Sequence, residues 1–123
     1  MGKRVLVVED DAQNSYLIGF ILERNGYEVV TADDGERAIE ELEKQLPDLI
    51  LMDMLLPKMS GYEATRAIKA RPETSRVPIV ALTAYSMKGD REKILESGCD
   101  GYISKPIDPE TFIFEMERYF TGA

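Results

Sequence analysis

The chain has 123 residues, 44% hydrophobic and 31% charged, which suits one compact core and argues against a disordered or fibrous design. A formal net charge of −8 sets it against nucleic-acid phosphates and anionic lipid, so neither direct nucleic-acid contact nor membrane insertion is expected. With no histidine, the chain cannot carry a Ser-His-Asp or Cys-His nucleophile, a histidine-ligated metal or a phosphohistidine, and its single cysteine, Cys99, reads as a small, partly buried thiol.

The N-terminal "MGKRVLVV" has two basic residues but far too short an apolar run for a signal peptide, and no stretch reaches the ~20 apolar residues of a membrane span, so a cytoplasmic protein is expected. The first apolar run is Val5–Val8. Leu17, Ile18, Ile21 and Leu22 then recur at helical spacing until the Asn25–Gly26 pair, a usual helix stop. A second run, Glu28–Thr31, precedes "ADDGE", where Asp33 with Glu36 has the form of a capping box for a helix with Ala38, Ile39 and Leu42 inside. Further runs are Leu49–Met52, Ile79–Leu82 and Gly101–Ile103, each followed by helical sequence. The last helix starts near Pro109 and buries Phe112, Met116 and either Tyr119 or Phe120. Three runs are solidly aliphatic, as strands covered on both faces should be. The alternation predicts an α/β protein with a parallel sheet, one domain over residues 1–123 with no output domain attached.

In an open parallel sheet, ligands bind beyond the carboxyl ends of the strands. Glu9, Asp10 and Asp11 follow the first run, Asp53 the third, Thr83 the fourth, and Ser104, Lys105 and Pro106 the fifth. Each has an ordinary structural explanation, and Asp11 suits the N-cap of the first helix. Together they describe clustered acids, which repel and need a cation to stay ionised side by side. Oxygen donors without nitrogen or sulfur suit Mg²⁺, and a carboxylate beside Mg²⁺ and a lysine can act as a nucleophile toward phosphorus.

"VLVVEDD", "PDLILMDMLLPKMSGYE", "VPIVALTAYS" and "GYISKP" resemble, in order, the defining motifs of the receiver domain of response regulators. The segment "SMKGDREKILESGCDGYISKP" is similar to stand-alone receivers and to those attached to hybrid histidine kinases. The resemblance implies a flavodoxin-like (βα)5 three-layer sandwich whose five-stranded parallel sheet has the order 2-1-3-4-5. It implies Asp53 as phosphoacceptor and metal ligand, Asp10 as a direct Mg²⁺ ligand, Glu9 acting mainly through water, and the Leu55 backbone carbonyl as a third ligand. Thr83 and Lys105 would hold phosphoryl oxygens, with a cis bond between Lys105 and Pro106. A switch would move Thr83 and then Tyr102, changing the surface from about Lys88 to Phe120. The expected partners are a histidine kinase or histidine phosphotransfer protein upstream and a protein target downstream, with no catalysis beyond the chain's own phosphorylation and dephosphorylation.

Two further expectations come from particular side chains. Tyr16 and Phe20, beside Ser15 and Gly19, form a stripe suited to docking a kinase or phosphotransfer bundle, unless Phe20 packs under the last helix. Leu55 and Tyr85 lack the acid or amide that helps orient a hydrolytic water in fast-cycling members of the family the chain resembles, so the resemblance implies a comparatively long-lived phosphoryl group. Among other classes, a haloacid-dehalogenase-type phosphatase would need an acid at the Leu55 position, and no glycine-rich loop supports a nucleotide site. The remaining alternative is a receiver-like interaction module that works without phosphate.

Overall fold

The computed structural model describes residues 3–84 and 88–120. Strands β1 (Arg4–Val8), β2 (Glu28–Ala32), β3 (Leu49–Asp53), β4 (Ile79–Thr83) and β5 (Gly101–Ser104) alternate with helices α1 (Ala12–Arg24), α2 (Gly35–Lys44), α3 (Gly61–Ala70), α4 (Lys88–Glu96) and α5 (Phe112–Glu117). All ladders are parallel, in the order β2-β1-β3-β4-β5. The flavodoxin-like expectation therefore holds.

Side chains of consecutive strand residues point to opposite faces, and the core divides accordingly. Leu6, Val8, Ile50, Met52 and Ile79 pack with Ala38, Leu42, Ala64, Ile68 and Ile94 beneath α2, α3 and α4. Val5, Val7, Leu49, Leu51 and Val80 pack with Ile18, Leu22, Phe112 and Met116 beneath α1 and α5. The three solidly aliphatic runs are the three inner strands, and every residue of β3 and β4 is buried. The two mixed runs are the edges, β2 and β5, where one side has no neighbour to exclude water.

Local signals account for several helix ends. Asp11 caps α1, its Oδ1 accepting from Gln13 N at 2.9 Å and Asn14 N at 3.2 Å. Gly26, with φ of 86°, provides the left-handed turn after α1. The expected capping box of α2 is displaced by one residue: Asp34, not Asp33, is the extended cap, accepting from Arg37 N at 2.8 Å. The reason is reach, because a cap oxygen satisfies the N–H three residues on, which leaves Glu36 one position too early to reciprocate. A complete box caps α3 instead, with Glu63 N donating to Ser60 Oγ and Ser60 N donating to Glu63 Oε1.

At the end of α5, Phe120 enters the core and Tyr119 stays half-buried over Gly101. The Phe120 ring stacks on Tyr27 at 5.8 Å, and Tyr27 OH donates to Glu117 at 2.5 Å, tying the start of β2 to the last helix. Phe20 does not pack under α5; it is 47% exposed, stacked on Tyr16 with the Arg24 guanidinium over its ring. Cys99 is buried rather than partly so, within 3.7 Å of Thr65 Oγ1 and 3.8 Å of Ser97 Oγ.

Candidate functional site

The carboxyl ends of β1, β3, β4 and β5 meet at one rim. Its central carboxylate is placed by the strand before it: Leu49–Met52 is held from both faces, so Asp53 is carried to a fixed position, 5% exposed, at the strand's end. Asp53 Oδ1 accepts from Leu55 N at 3.0 Å and lies 3.5 Å from Lys105 Nζ. Glu9 is similarly fixed at the end of β1, its N–H donating to Ala32 O at 3.0 Å. Glu9 Oε2 accepts from Asp11 N at 3.2 Å, and Oε1 faces Lys105 Nζ at 3.0 Å. Lys105 is held through its own N–H, which donates to Thr83 O at 2.8 Å.

Glu9, Asp10 and Asp53 each bring one carboxylate oxygen within 4.8 Å of the others. They border a cleft of about 220 Å³ that Asn14, Leu55, Thr83 and Lys105 also line. Burial pushes the Glu9 carboxyl above its ordinary value, and Asp53 beside it adds to the effect. Burial alone would lower the Lys105 ammonium, but the Glu9 and Asp53 carboxylates reverse this and the group rises. Two carboxylates thus face one ammonium, and Asp10 lies beside them, a local excess of negative charge.

A divalent cation fits that excess. The donors are hard oxygens, and buried Glu9 Oε1 makes no hydrogen bond of proper geometry although an ammonium lies beside it. Such a set suits Mg²⁺, which tolerates few protein ligands and retains water.

The sequence-derived residues separate into groups. Glu9, Asp10, Asp53, Thr83, Lys105 and Leu55 come together, with Thr83 buried at the end of β4 and the Leu55 side chain 60% exposed at the mouth. The Lys105–Pro106 bond is cis. Tyr102 lies away from the cleft, half-buried in β5 opposite Ala81, with the Arg91 guanidinium 5.8 Å from its ring centre. Tyr85 lies outside the described residues. Two residues at the site had gone unread. Asn14 reaches the cleft from the first turn of α1, a position its spacing from the Asp11 cap could have indicated. Gly61 presses against the backbone of Asp53 and Met54, a tertiary contact with no local signature beyond the glycine itself.

Residues 5–117 match the model of the response regulator receiver domain. The chain belongs to the response regulator receiver family. Receivers are signalling modules rather than metabolic enzymes, and this one has relatives that are equally short. It is 42% identical over 123 residues, covering all of both chains, to polar-differentiation response regulator DivK of Brucella anthropi and equally to that of Brucella ovis. Among solved structures, it is 40% identical to the receiver domain of sensor histidine kinase PA1611 from Pseudomonas aeruginosa, covering 97% of this chain and 98% of that one with a TM-score of 0.88. That structure has a magnesium ion coordinated in its active-site cleft. The chemotaxis protein CheY4 of Vibrio cholerae is 29% identical with a TM-score of 0.92, covering 98% of this chain and 100% of that one. The acidic cleft of this receiver is therefore of a kind that holds magnesium in a relative.

Proposed function

We propose that this receiver is a phosphorylation-driven switch in which Asp53 accepts a phosphoryl group from a phosphohistidine on a histidine kinase or histidine phosphotransfer protein. The observation that carries the reading is the Asp53 carboxylate itself, fixed at the end of a fully buried strand beside Lys105 and two further acids at the mouth of a cleft. In the transfer, an Asp53 oxygen forms a bond to phosphorus as the donor's N–P bond breaks. The imidazole keeps that electron pair and takes a proton from solvent.

Lys105, with Thr83 beside it, is suited to meet the phosphoryl oxygens as negative charge accumulates at the rim. The Leu55 N–H orients the acceptor carboxylate. Asp10, Asp53 and the Leu55 carbonyl would hold Mg²⁺ directly, with Glu9 acting through water; when bound, the ion neutralises carboxylate and phosphoryl charge. Because a phosphoryl group adds charge and acceptor oxygens, it can draw the Thr83 hydroxyl toward it. Tyr102 then turns inward, away from Arg91, and the altered surface of α4, β5 and α5 is read by a downstream protein. The setting we propose is the cytoplasm; among the described residues no helix is long and apolar enough to cross a membrane.

The kinase side is proposed to reach the cleft along α1, where Tyr16 and Phe20 are 75% and 47% exposed. Phe20→Ala should slow transfer from the kinase while leaving labelling by acetyl phosphate unchanged; unaltered kinase transfer removes this docking surface. The primary test is intact-mass analysis after incubation with acetyl phosphate, with and without Mg²⁺, for wild type and Asp53→Asn. One phosphoryl adduct requiring both Mg²⁺ and Asp53 is expected. No adduct in wild type would overturn the switch in favour of a phosphate-independent interaction module.

A further inference from the structure

The outer edge of β2 is an open hydrogen-bonding surface in a groove. β2 ends the sheet, and its backbone partners lie on β1. Glu28 N donates to Lys3 O at 2.8 Å, and Ala32 O accepts from Glu9 N at 3.0 Å. Backbone groups alternate in direction along a strand, so Glu28, Val30 and Ala32 turn theirs toward β1, while Val29 and Thr31 turn theirs outward. The N–H and C=O groups of those two residues have no protein partner among the described residues. Exposed edges are commonly defended by lysine, proline or a bulge, and "EVVTA" contains neither residue and pairs without a bulge along its length.

This edge forms the floor of a groove of about 710 Å³ between α1 and α2, larger than the acidic cleft. On the α1 side stand Tyr16 and Phe20, stacked with ring centres 6.4 Å apart. Between them and the strand lie Ser15 and Gly19; the latter brings the α1 backbone close enough that an added Cβ would meet Val29 Cγ1 at 3.8 Å. On the α2 side stand Arg37 and Glu41. The lining contains five carboxylates, those of Glu9, Asp10, Glu23, Asp33 and Glu41, against the guanidinium of Arg37, with a second guanidinium, that of Arg24, over the Phe20 ring at the wall, so acids still predominate.

We propose that this edge is a strand-addition site for an extended cationic segment of a partner protein. The outward groups of Val29 and Thr31 supply the backbone bonds. Alternate side chains of the added strand then face the two walls, apolar ones against Tyr16 and Phe20 and basic ones against Glu41 and Asp33. A second copy of this chain is the wrong occupant, since it carries net charge −8 and its own β2 edge begins with Glu28. A strand matching the five residues of β2 spans about 16 Å, short enough for a linker or tail to supply. Glu9 and Asp10 line both this groove and the acidic cleft, and Tyr16 and Phe20 also form the proposed kinase-docking stripe, but the strand bonds at Val29 and Thr31 need no phosphoryl group on Asp53, so their test is distinct from that of the phosphorylation reading.

The test uses the full chain, ¹⁵N-labelled, titrated with a synthetic peptide of alternating lysine and valine. Two controls accompany it: the same peptide N-methylated at alternate residues, and one with glutamate in place of lysine. Amide exchange at Val29 and Thr31 should slow by about tenfold or more at saturation, as expected for newly formed strand bonds. N-methylation and charge reversal should each weaken binding by about tenfold or more. Thr31→Pro removes one outward N–H without touching the β1 ladder and should weaken binding similarly, with acetyl phosphate labelling at the wild-type level as its check on folding. Absence of binding at millimolar peptide, equal binding of the N-methylated peptide, equal binding of the acidic peptide, or unprotected Val29 and Thr31 amides at saturation would each overturn the proposal. Equal N-methylated binding would assign the groove to side-chain docking, as by a helix.

Discussion

Gly61 opens α3 against the end of β3, where an added Cβ would lie 2.3 Å from Asp53 O and 2.6 Å from Met54 Cα. Both atoms are backbone, so no side-chain rotation relieves the contact. Restoring ordinary separation in Gly61→Ala requires α3 and the β3 terminus to part by about 1 Å, and such overpacking costs about 1–3 kcal/mol. The Gly61 N to Met54 O bond, 3.1 Å long, stretches as they separate and contributes about another 1 kcal/mol. Alanine's better helix propensity offsets about 1 kcal/mol of this. The net destabilisation is about 2 kcal/mol, and for a chain of 123 residues that lowers Tm by about 8 °C. The same displacement shifts the Asp53 carboxylate relative to Lys105, and misplacement by about 1 Å can cost about 100-fold in rate. Thermal melting measures the first effect, and the rate of phosphoryl adduct formation from acetyl phosphate the second. Wild-type melting and labelling would refute the steric argument; reduced Tm with wild-type labelling would refute only its coupling to Asp53.

Tyr27→Phe keeps the stack on Phe120 but removes the bond to Glu117, which lies near the surface, so a loss of about 1 kcal/mol is expected by denaturant titration. Burial, reinforced by Glu117, holds the Tyr27 phenol well above its ordinary 10.0. A raised folded-state value means its stabilising contribution is present below pH 10 and lost as pH rises through that value, so wild type should lose more stability than Tyr27→Phe at strongly alkaline pH; parallel profiles would contradict this. Cys99, whose thiol is pushed up chiefly by burial, should react with iodoacetamide at least about 100-fold more slowly in native than in unfolded protein, and comparable rates would show that the α3–α4 side of the core opens readily. Leu55→Asn should shorten the lifetime of the phosphoryl group by placing an amide at the cleft mouth, as measured by decay of the adduct mass; an unchanged lifetime would remove the bulky Leu55 side chain from the control of hydrolysis.

The architecture was legible because its signals are chemical and local. Inner strands of a doubly covered sheet need unbroken aliphatic runs, so Val5–Val8, Leu49–Met52 and Ile79–Leu82 identified themselves, and the acids, hydroxyl and ammonium after such runs identified the rim. The Asp11 cap and Gly26 stop were equally readable, since each satisfies backbone groups within a few residues. The cap of α2 was misread by one residue because adjacent aspartates have the same chemistry and only backbone geometry distinguishes them. The fate of Phe20 depended on its packing with Tyr16 and Arg24 along α1, and the pairing of Arg91 with Tyr102 on a helix meeting a strand.

The sequence by itself determined which elements form, which strands are central and which polar side chains gather at the rim, because periodicity, capping and residue type act over a few positions. Tertiary structure alone decided distances and openings. Lys105 meets Glu9 and Asp53 across 96 and 52 positions of chain, Gly61 leaves no room beside Asp53, and Val29 and Thr31 line a groove at the sheet's edge. Those outcomes depend on how separate elements pack and on which strand is left at the sheet's edge, and no local pattern encodes the space between surfaces that meet only after folding.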